Sequence, residues 1–441
     1  MPAQKDAKQR GETERSHVGR SSLAELPPRN FDPLDILRQA SGRHVTRLLP
    51  VKFKLMRESP FAFFRGSVEI MAADLGSAPH TRIEVQMCGD AHVKNFGFFA
   101  SPGAEVVLDI NDFDETQRGP WEWDVKRLAT SIILAGRVAG DSEACCKEAV
   151  RVFVRQYCEW IRRFAAMPAI DVARHRIVRN LRDPAIRSAL RKAERSTPLS
   201  TLNKLVHKKG GGYSFIYKRD SIWDIKAVDE RMVVRALADY RATLAPDRQF
   251  LFDHYSVADV GFKVVGTGSV GTRDYVVLLL GRDSGDKDPL FLQVKEEQPS
   301  AYALYYQDRT ALRHQGERVV LGQRALQVFS DVLLGWCSIA GRDYLVRQLS
   351  DHKSSVEPEE LQGDRLVEYG RVCAELLAKG HARSGDPAVL AAYLGPPGKA
   401  EKALSRFAAA YADQVEEDYN KFRKASKHKF TRQAMELARE S

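Results

Sequence analysis

Nothing in the 441 residues of the chain approaches the ~18–20 consecutive apolar residues needed to span a bilayer. The opening MPAQKDAKQRGETERSHVGR mixes acids with bases and lacks an apolar core, so it is not a secretory leader, and a cytoplasmic protein is expected. The six cysteines (Cys88, Cys145, Cys146, Cys158, Cys337 and Cys373) form no CxxC pair. That argues against a thiolate metal site and for reduced, buried thiols. Internal repeats, zinc-finger spacings and RRM-type aromatic motifs are absent too. The net charge of +10 reads as bases spread among acids along the chain, apart from a cluster at Lys421–Lys429. Diffuse positive charge fits a solvated surface or attraction to anionic small molecules, and it argues against a nucleic-acid partner.

What is present is the composition of a globular protein, 44% apolar and 29% charged, with length for two or three structural units. Chemistry-bearing side chains gather in Gln86–Asp124. Asp90, His92, Asn95, Asp112 and Asp114 there surround two short apolar runs, Val85–Met87 and Val106–Ile110. Each polar cluster falls where a strand should end. Carboxylates and a carboxamide delivered to one edge suit a hard cation such as Mg²⁺, which prefers oxygen ligands and keeps some of its waters. His92 has no second His or Cys at ligand spacing, so it reads as a support for its loop. Asp109 should point away from the face of Asp112, and Asp114 is open between a metal- or phosphate-side group and a turn cap.

In chain order, residues 1–30 offer few apolar side chains and are expected to form a disordered tail. Asp32 and Pro33 look like a helix start. The aromatic segment around Arg65 and Gly66 reads either as a core-packing turn or as an arginine aimed at an anionic ligand. Trp121–Ala139 and Glu143–Ala166 are strongly helical, and 31–206 is taken as one part. HKKGGGYSF at His207–Phe215 is the clearest break, giving a linker over 207–224. From 225 to 352 the pattern is β-rich. Val257–Val265, Tyr275–Leu280 and Leu290–Lys295 predict a three-stranded antiparallel meander. A helix from Ala311 to Val320, a segment at Leu326–Leu334 and a strand at Tyr344–Leu349 follow, and 353–441 returns to helix.

GTGSVG at Gly266–Gly271 falls between the first two strands of that meander. In a dinucleotide-binding fold such glycines open a helix, but TRDYVVLLLG follows here and is strand-like. Strand, GxGxxG, strand and a strand ending in Lys295 resemble the nucleotide-covering hairpin of protein kinases. A plain hairpin with a solvent-facing lysine is the other reading. Asp90 and Asn95 carry the D-x-x-x-x-N offset of the kinase catalytic loop, and Asp112 in NDFD follows the next strand.

The stretch is closer still to the aminoglycoside phosphotransferase and choline kinase branch. Gly89, Asp90, His92 and Asn95 of CGDAHVKN, then INDFD, Gly119 and Asp124, resemble its motif over about 40 residues. The whole chain also resembles an uncharacterised bacterial domain-of-unknown-function family built on this motif. Cys88 stands where that branch has a histidine. Asn95 and Asp112 are more widely separated than usual, and Ser101–Glu105 is expected to absorb the surplus as a hairpin tip. The glycine-rich hairpin also follows the catalytic loop instead of preceding it, which a circular permutation would reconcile. EYGRVCAELLAKGHA at Glu368–Ala382 resembles the helix that precedes the catalytic loop in that branch.

The resemblance implies an α+β, protein kinase-like two-lobe fold, circularly permuted. A small antiparallel β lobe would bind nucleotide, and a larger, mainly helical lobe would carry the catalytic loop. It implies ATP and Mg²⁺ as cofactors, with phosphoryl transfer to a small-molecule or protein hydroxyl that the sequence does not identify. Asp90 would position the acceptor. Gly266, Gly268, Ser269, Gly271 and Lys295 would hold the nucleotide, with Glu317 as the acid paired to Lys295. Asn95, Asp112 and Asp114 would hold metal, and Arg347 would either line the cleft or be solvated. Three alternatives stand beside it: nucleotidyl transfer on the same fold, a metal-dependent hydrolase without nucleotide, and a silent nucleotide binder. The oligomeric state is not legible.

Overall fold

In the computed structural model the described residues are all but 1, 104, 178–182, 210–211, 219–220, 265–270, 283–284, 350–352, 426 and 441. The fold is mixed α+β with antiparallel sheets. Among the described residues no helix is long and apolar enough to cross a membrane, and all six cysteines are free thiols.

The first strands are short and frame the polar clusters. Strand β1 (Glu84–Met87) pairs with β4 (Gln117–Pro120), and β2 (Phe96–Ala100) pairs with β3 (Val106–Ile110). The β2–β3 connection is the expected hairpin tip, closed by Ser101 N–H donating to the Glu105 carbonyl at 2.8 Å. Helices surround these strands. Pro33–Ser41 starts where expected, with Asp32 accepting the Leu34 N–H at 2.9 Å and proline in the first turn. Trp121–Ala139 buries nearly its whole length and stops at Gly140, whose φ of 83° suits a left-handed cap. With Glu143–Ala166, Asp364–Ser384 and Lys399–Lys424 it forms the largest apolar core.

The hairpin of β5 (Val206–Lys209) and β6 (Gly212–Phe215) occupies the predicted linker. Alternation of β-prone residues on either side of the glycines favours pairing over a flexible tether. Six antiparallel strands follow in the order β11-β12-β10-β9-β8-β7. They are β7 (Ile222–Trp223), β8 (Tyr255–Lys263), β9 (Asp274–Gly281), β10 (Gly285–Glu296), β11 (Gly335–Ile339) and β12 (Arg342–Gln348). The predicted meander is therefore the centre of a wider sheet. The helix expected from Ala311 runs instead over Gln315–Leu326, with His314 accepting the Glu317 N–H, and residues 327–334 are not helical. A last short strand, β13 (Ser354–Ser355), joins the edge of β2.

The period-2 pattern of the six-stranded sheet sends its two faces to different partners. Val260, Val277, Leu292, Val294 and Val346 pack on Val233, Leu237 and Tyr240 of the helix Ala227–Thr243. On the opposite face Val276, Leu278, Phe291 and Leu349 pack on Leu202, Val206 and Phe215. Each such side chain contributes about 1.5–3 kcal/mol of burial. The same alternation places Asp274, Gln293, Lys295 and Arg347 on this second face, beyond its apolar part.

The N-terminal segment does not form the expected tail. Pro2–His17 is a helix that packs on the helix Pro387–Leu394. The contact is close because Gly11 carries no side chain, and a Cβ there would lie 2.4 Å from the Val389 carbonyl. Arg15 Nε donates to the Tyr393 carbonyl at 3.0 Å, and Arg20 donates to that of Leu394 at 2.6 Å. Small residues and end-on hydrogen bonds replace the apolar stripe whose absence suggested disorder. The positive charge is not diffuse either. Between Arg174 and Lys218 the only acids are Asp183 and Glu194.

Candidate functional site

The loop from Cys88 to Asn95 leaves β1 through Gly89, whose φ is 81°. A Cβ at that position would stand 2.1 Å from the Glu115 carbonyl oxygen, so both conformation and space demand glycine. One face of the helix Trp121–Ala139 then fixes the loop through residues three and four apart. Asp124 accepts the N–H groups of Cys88 and Gly89 at 2.8 and 2.9 Å. Arg127 Nε donates to Asp90 Oδ1 at 2.6 Å, and Ser131 Oγ accepts the Val93 N–H at 3.1 Å. From the helix Asp364–Ser384, Tyr369 donates to the carbonyls of Val93 and Phe96, both at 2.9 Å, and His381 sits 3.2 Å from Asp124. Asn95 donates through Nδ2 to the Asp90 carbonyl at 2.7 Å, which turns its Oδ1 outward from that bond.

Asp112 and Asp114 follow β3 and line one cavity with Asp90, His92 and Asn95. The cavity measures about 310 Å³. Its remaining walls are the helices of residues 36–69, and the segments Glu296–Ala301 and Leu304–Tyr305. Lys295, near the end of β10, forms an ion pair with Asp114 Oδ2 across a separation of 181 residues. Arg347 is half-buried: its Nε donates to Gln293 at 2.9 Å, and Gln293 donates to Asp274 at 2.6 Å. Asp109 points the other way, as expected, and pairs with buried Lys379.

Charges tune this site strongly. Burial alone would raise the Asp90 carboxyl, but Arg127, then His92, outweigh it and hold it well below the usual range. Desolvation would likewise raise the half-buried Asp112, yet Lys295, Arg347 and Lys353 keep its carboxyl below the usual value. Lys295 is raised despite burial, because Asp114, Asp112 and Glu297 surround its ammonium. Burial pushes Glu115 up to about 7. Two carboxylate oxygens, Asp112 Oδ1 and Asp114 Oδ1, are buried with no hydrogen-bond partner.

Among the described residues no group of three or more His, Cys, Asp or Glu side chains is arranged to hold a metal. Magnesium needs less than that, because it takes one or two carboxylates and completes its shell with water and phosphate oxygens. Asp112, Asp114 and the carboxamide of Asn95 supply such a set, and the two orphaned oxygens are where a cation would be expected to bind.

The predicted residues are thus brought together in part. Asp90, Asn95, Asp112 and Asp114 share the cavity, and Lys295 reaches it through Asp114. Gly266, Gly268 and Ser269 lie outside the described residues. Gly271, with φ 133°, ends that loop against His44, and its carbonyl accepts the Val45 N–H at 2.6 Å. Glu317 does not pair with Lys295. It stands in the first turn of the helix Gln315–Leu326, and the ion pair goes to Asp114 instead. Sequence reasoning missed Arg127, Lys52 and Glu69. Arg127 lies on a helix read only for its apolar stripe, although its spacing of three from Asp124 puts both on one face.

A family model described as "Uncharacterized protein conserved in bacteria (DUF2252)" matches residues 43–425. Neither a curated protein nor a solved structure matches the chain.

Proposed function

The chain belongs to this bacterial family, and we propose that its cavity serves ATP- and Mg²⁺-dependent phosphoryl transfer to a hydroxyl acceptor. The observation that carries this reading is the ion pair between Lys295 and Asp114, in a site that Asp90, Asn95 and Asp112 also line. The catalytic stretch and the sheet lysine stand far apart in sequence and in the reverse of the order found in kinases, yet they meet. On this reading the protein is a cytoplasmic, circularly permuted kinase-like enzyme. Residues 225–352 form the nucleotide lobe, and 31–206 with 353–441 form the catalytic lobe.

Lys295 would bind the phosphates of ATP, with Gln293 and Arg347 beside it on the same sheet face. Asn95, Asp112 and Asp114 would hold Mg²⁺, which when bound neutralises charge on the phosphoryl oxygens. Asp114 would then exchange Lys295 for the metal, leaving the ammonium to the phosphates. Asp90, kept ionised by Arg127, accepts a hydrogen bond from the acceptor hydroxyl and aims its oxygen at the phosphorus. A weakly basic carboxylate suffices, because phosphoryl transfer passes through a loose transition state that needs positioning more than proton abstraction.

Titration calorimetry with Mg²⁺ and a non-hydrolysable ATP analogue tests the proposal. Wild-type protein should bind, and Asp112→Ala and Lys295→Ala should each weaken binding at least tenfold. Absence of binding by the wild type, or unchanged binding by both variants, ends this reading. Mass analysis of the products separates phosphoryl from nucleotidyl transfer.

A further inference from the structure

Part of the cavity lining comes from residues 36–69, and its charged groups make no hydrogen bond or ion pair with one another among the described residues. Lys52, on the helix Leu49–Met56, is 3% exposed and lines the cavity, yet makes no hydrogen bond or ion pair among the described residues. Arg65 ends the next helix, Pro60–Arg65, and also lines the cavity. Its Nε is buried without a partner. Glu69 Oε2 is buried without a partner as well. At the rim stand Arg43 and His44, and burial keeps His44 neutral.

An ammonium has three donors and no acceptor, and leaving one buried and unbonded costs several kcal/mol. Lys52 has carboxylates in its vicinity, Glu69, Glu115 and Asp90, but none bonds to it. Of the other lining acids, Asp112, Asp114 and Glu297 each keep one buried oxygen without a partner, and three are engaged elsewhere. Glu115 accepts the Ala301 N–H at 2.6 Å, Asp90 takes Arg127, and Glu296 takes Arg273 and Arg342. This part of the lining presents three cations, Arg43, Lys52 and Arg65, against one carboxylate, Glu69. A cationic group set against Lys52 and Arg65 would be repelled by them, and a neutral one would leave the Lys52 ammonium without a bonded counter-charge.

We propose that the acceptor is a compact polyol bearing one anionic substituent, a carboxylate or a phosphate, held by Lys52 and Arg65. Its remaining hydroxyls donate to Glu69, and the reacting hydroxyl reaches Asp90. The inference rests on the phosphotransfer reading for the last step only, since the anion site itself needs no nucleotide. The cavity of about 310 Å³ is at the lower end of the range for small-molecule sites and must also admit the terminal phosphate. A ligand of three to six carbons fits that space.

The test measures binding by calorimetry, without nucleotide, of polyols of three to six carbons, each in neutral, amino, carboxylate and phosphate form. Wild-type protein should bind a carboxylate or phosphate member at least tenfold more tightly than its neutral and amino counterparts. Comparing the two anionic forms identifies which anion the site takes. Lys52→Met should abolish that preference and Lys52→Arg should retain much of it, both with unchanged affinity for Mg²⁺ and the ATP analogue. Circular dichroism and thermal melts establish that both variants fold, and Arg65→Gln provides a second probe should Lys52→Met not fold. The inference is overturned if a neutral or amino member binds as tightly as its anionic counterpart, if folded Lys52→Met keeps the preference, or if no anionic member binds. Anion binding with no nucleotide binding would overturn the phosphotransfer reading alone.

Discussion

Around the loop from Cys88 to Asn95 three carboxylates meet protein partners, while Asp112 Oδ1 and Asp114 Oδ1 stay unpartnered. Asp90 takes Arg127, Asp124 takes two backbone N–H groups and stands beside His381, and Asp114 takes Lys295. In the lining from residues 36–69, buried Lys52 makes no bond among the described residues, and half-buried Arg65 and Glu69 each keep one buried polar atom without a partner. The Asp90 loop is fixed when the chain folds, because its geometry is set by hydrogen bonds within the protein. The second region is held apart by the packing of short helices, and on the proposal above a bound anion would supply the charge it lacks. On the proposed phosphotransfer reading such a division would serve the reaction. Rigid groups would orient it, and unsatisfied groups would select what enters.

The paired wall should break hardest. Arg127→Met strands the Asp90 carboxylate, and losing one partner of a buried pair costs about 3–5 kcal/mol, measurable by urea denaturation at neutral pH. The pH dependence has a definite sign. Asp90 is depressed in the native state, so its contribution is present above the ordinary carboxylate value of ~4 and is lost as pH falls through the native value. In Arg127→Met the native carboxyl rises, and the midpoint of acid unfolding should move to higher pH. An unchanged midpoint would mean that Arg127 does not stabilise the Asp90 charge.

The unpaired wall should respond with the opposite sign. Lys52→Met replaces a buried, unbonded ammonium by an apolar side chain of similar length, and ligand-free protein should gain about 1–3 kcal/mol. Thermal melts read this directly as a raised Tm. A fall in Tm would show that Lys52 is already satisfied within the fold, and the contrast between the walls would disappear.

The two walls also differ in how far the sequence discloses them. Asp90, Asn95 and Asp112 are legible because each follows a short apolar run, and strand ends are local features. The central meander is legible for the same reason, its β-prone runs being bounded by glycine and charged turns. Lys52 and Glu69 carry no such mark. A lysine on a helix is ordinarily solvent-exposed, and only the packing of residues 36–77 around the loop encloses these two. Arg127 and Lys379 are hidden similarly, each a buried charge on a helix whose partner, Asp90 or Asp109, lies far away in sequence. The helix Pro2–His17 escaped because composition measures apolar burial, whereas this helix docks through a glycine and arginine-to-carbonyl bonds.

The smallest effect expected is also the sharpest test of how the paired wall is wired. Glu317 sits two residues into a helix whose first turn is already capped by His314, and it forms no ion pair among the described residues. Glu317→Ala should therefore change stability by less than about 0.5 kcal/mol, as for a residue without partners. It should leave affinity for Mg²⁺ and the ATP analogue unchanged. Asp114→Asn removes the charge facing Lys295 and should weaken Mg²⁺-dependent nucleotide binding. If calorimetry instead shows that Glu317→Ala loses nucleotide affinity while Asp114→Asn keeps it, Lys295 must leave Asp114 for the helix acid when nucleotide binds. The wall would then rearrange with its ligand, and its pairing in the ligand-free protein would describe a resting state.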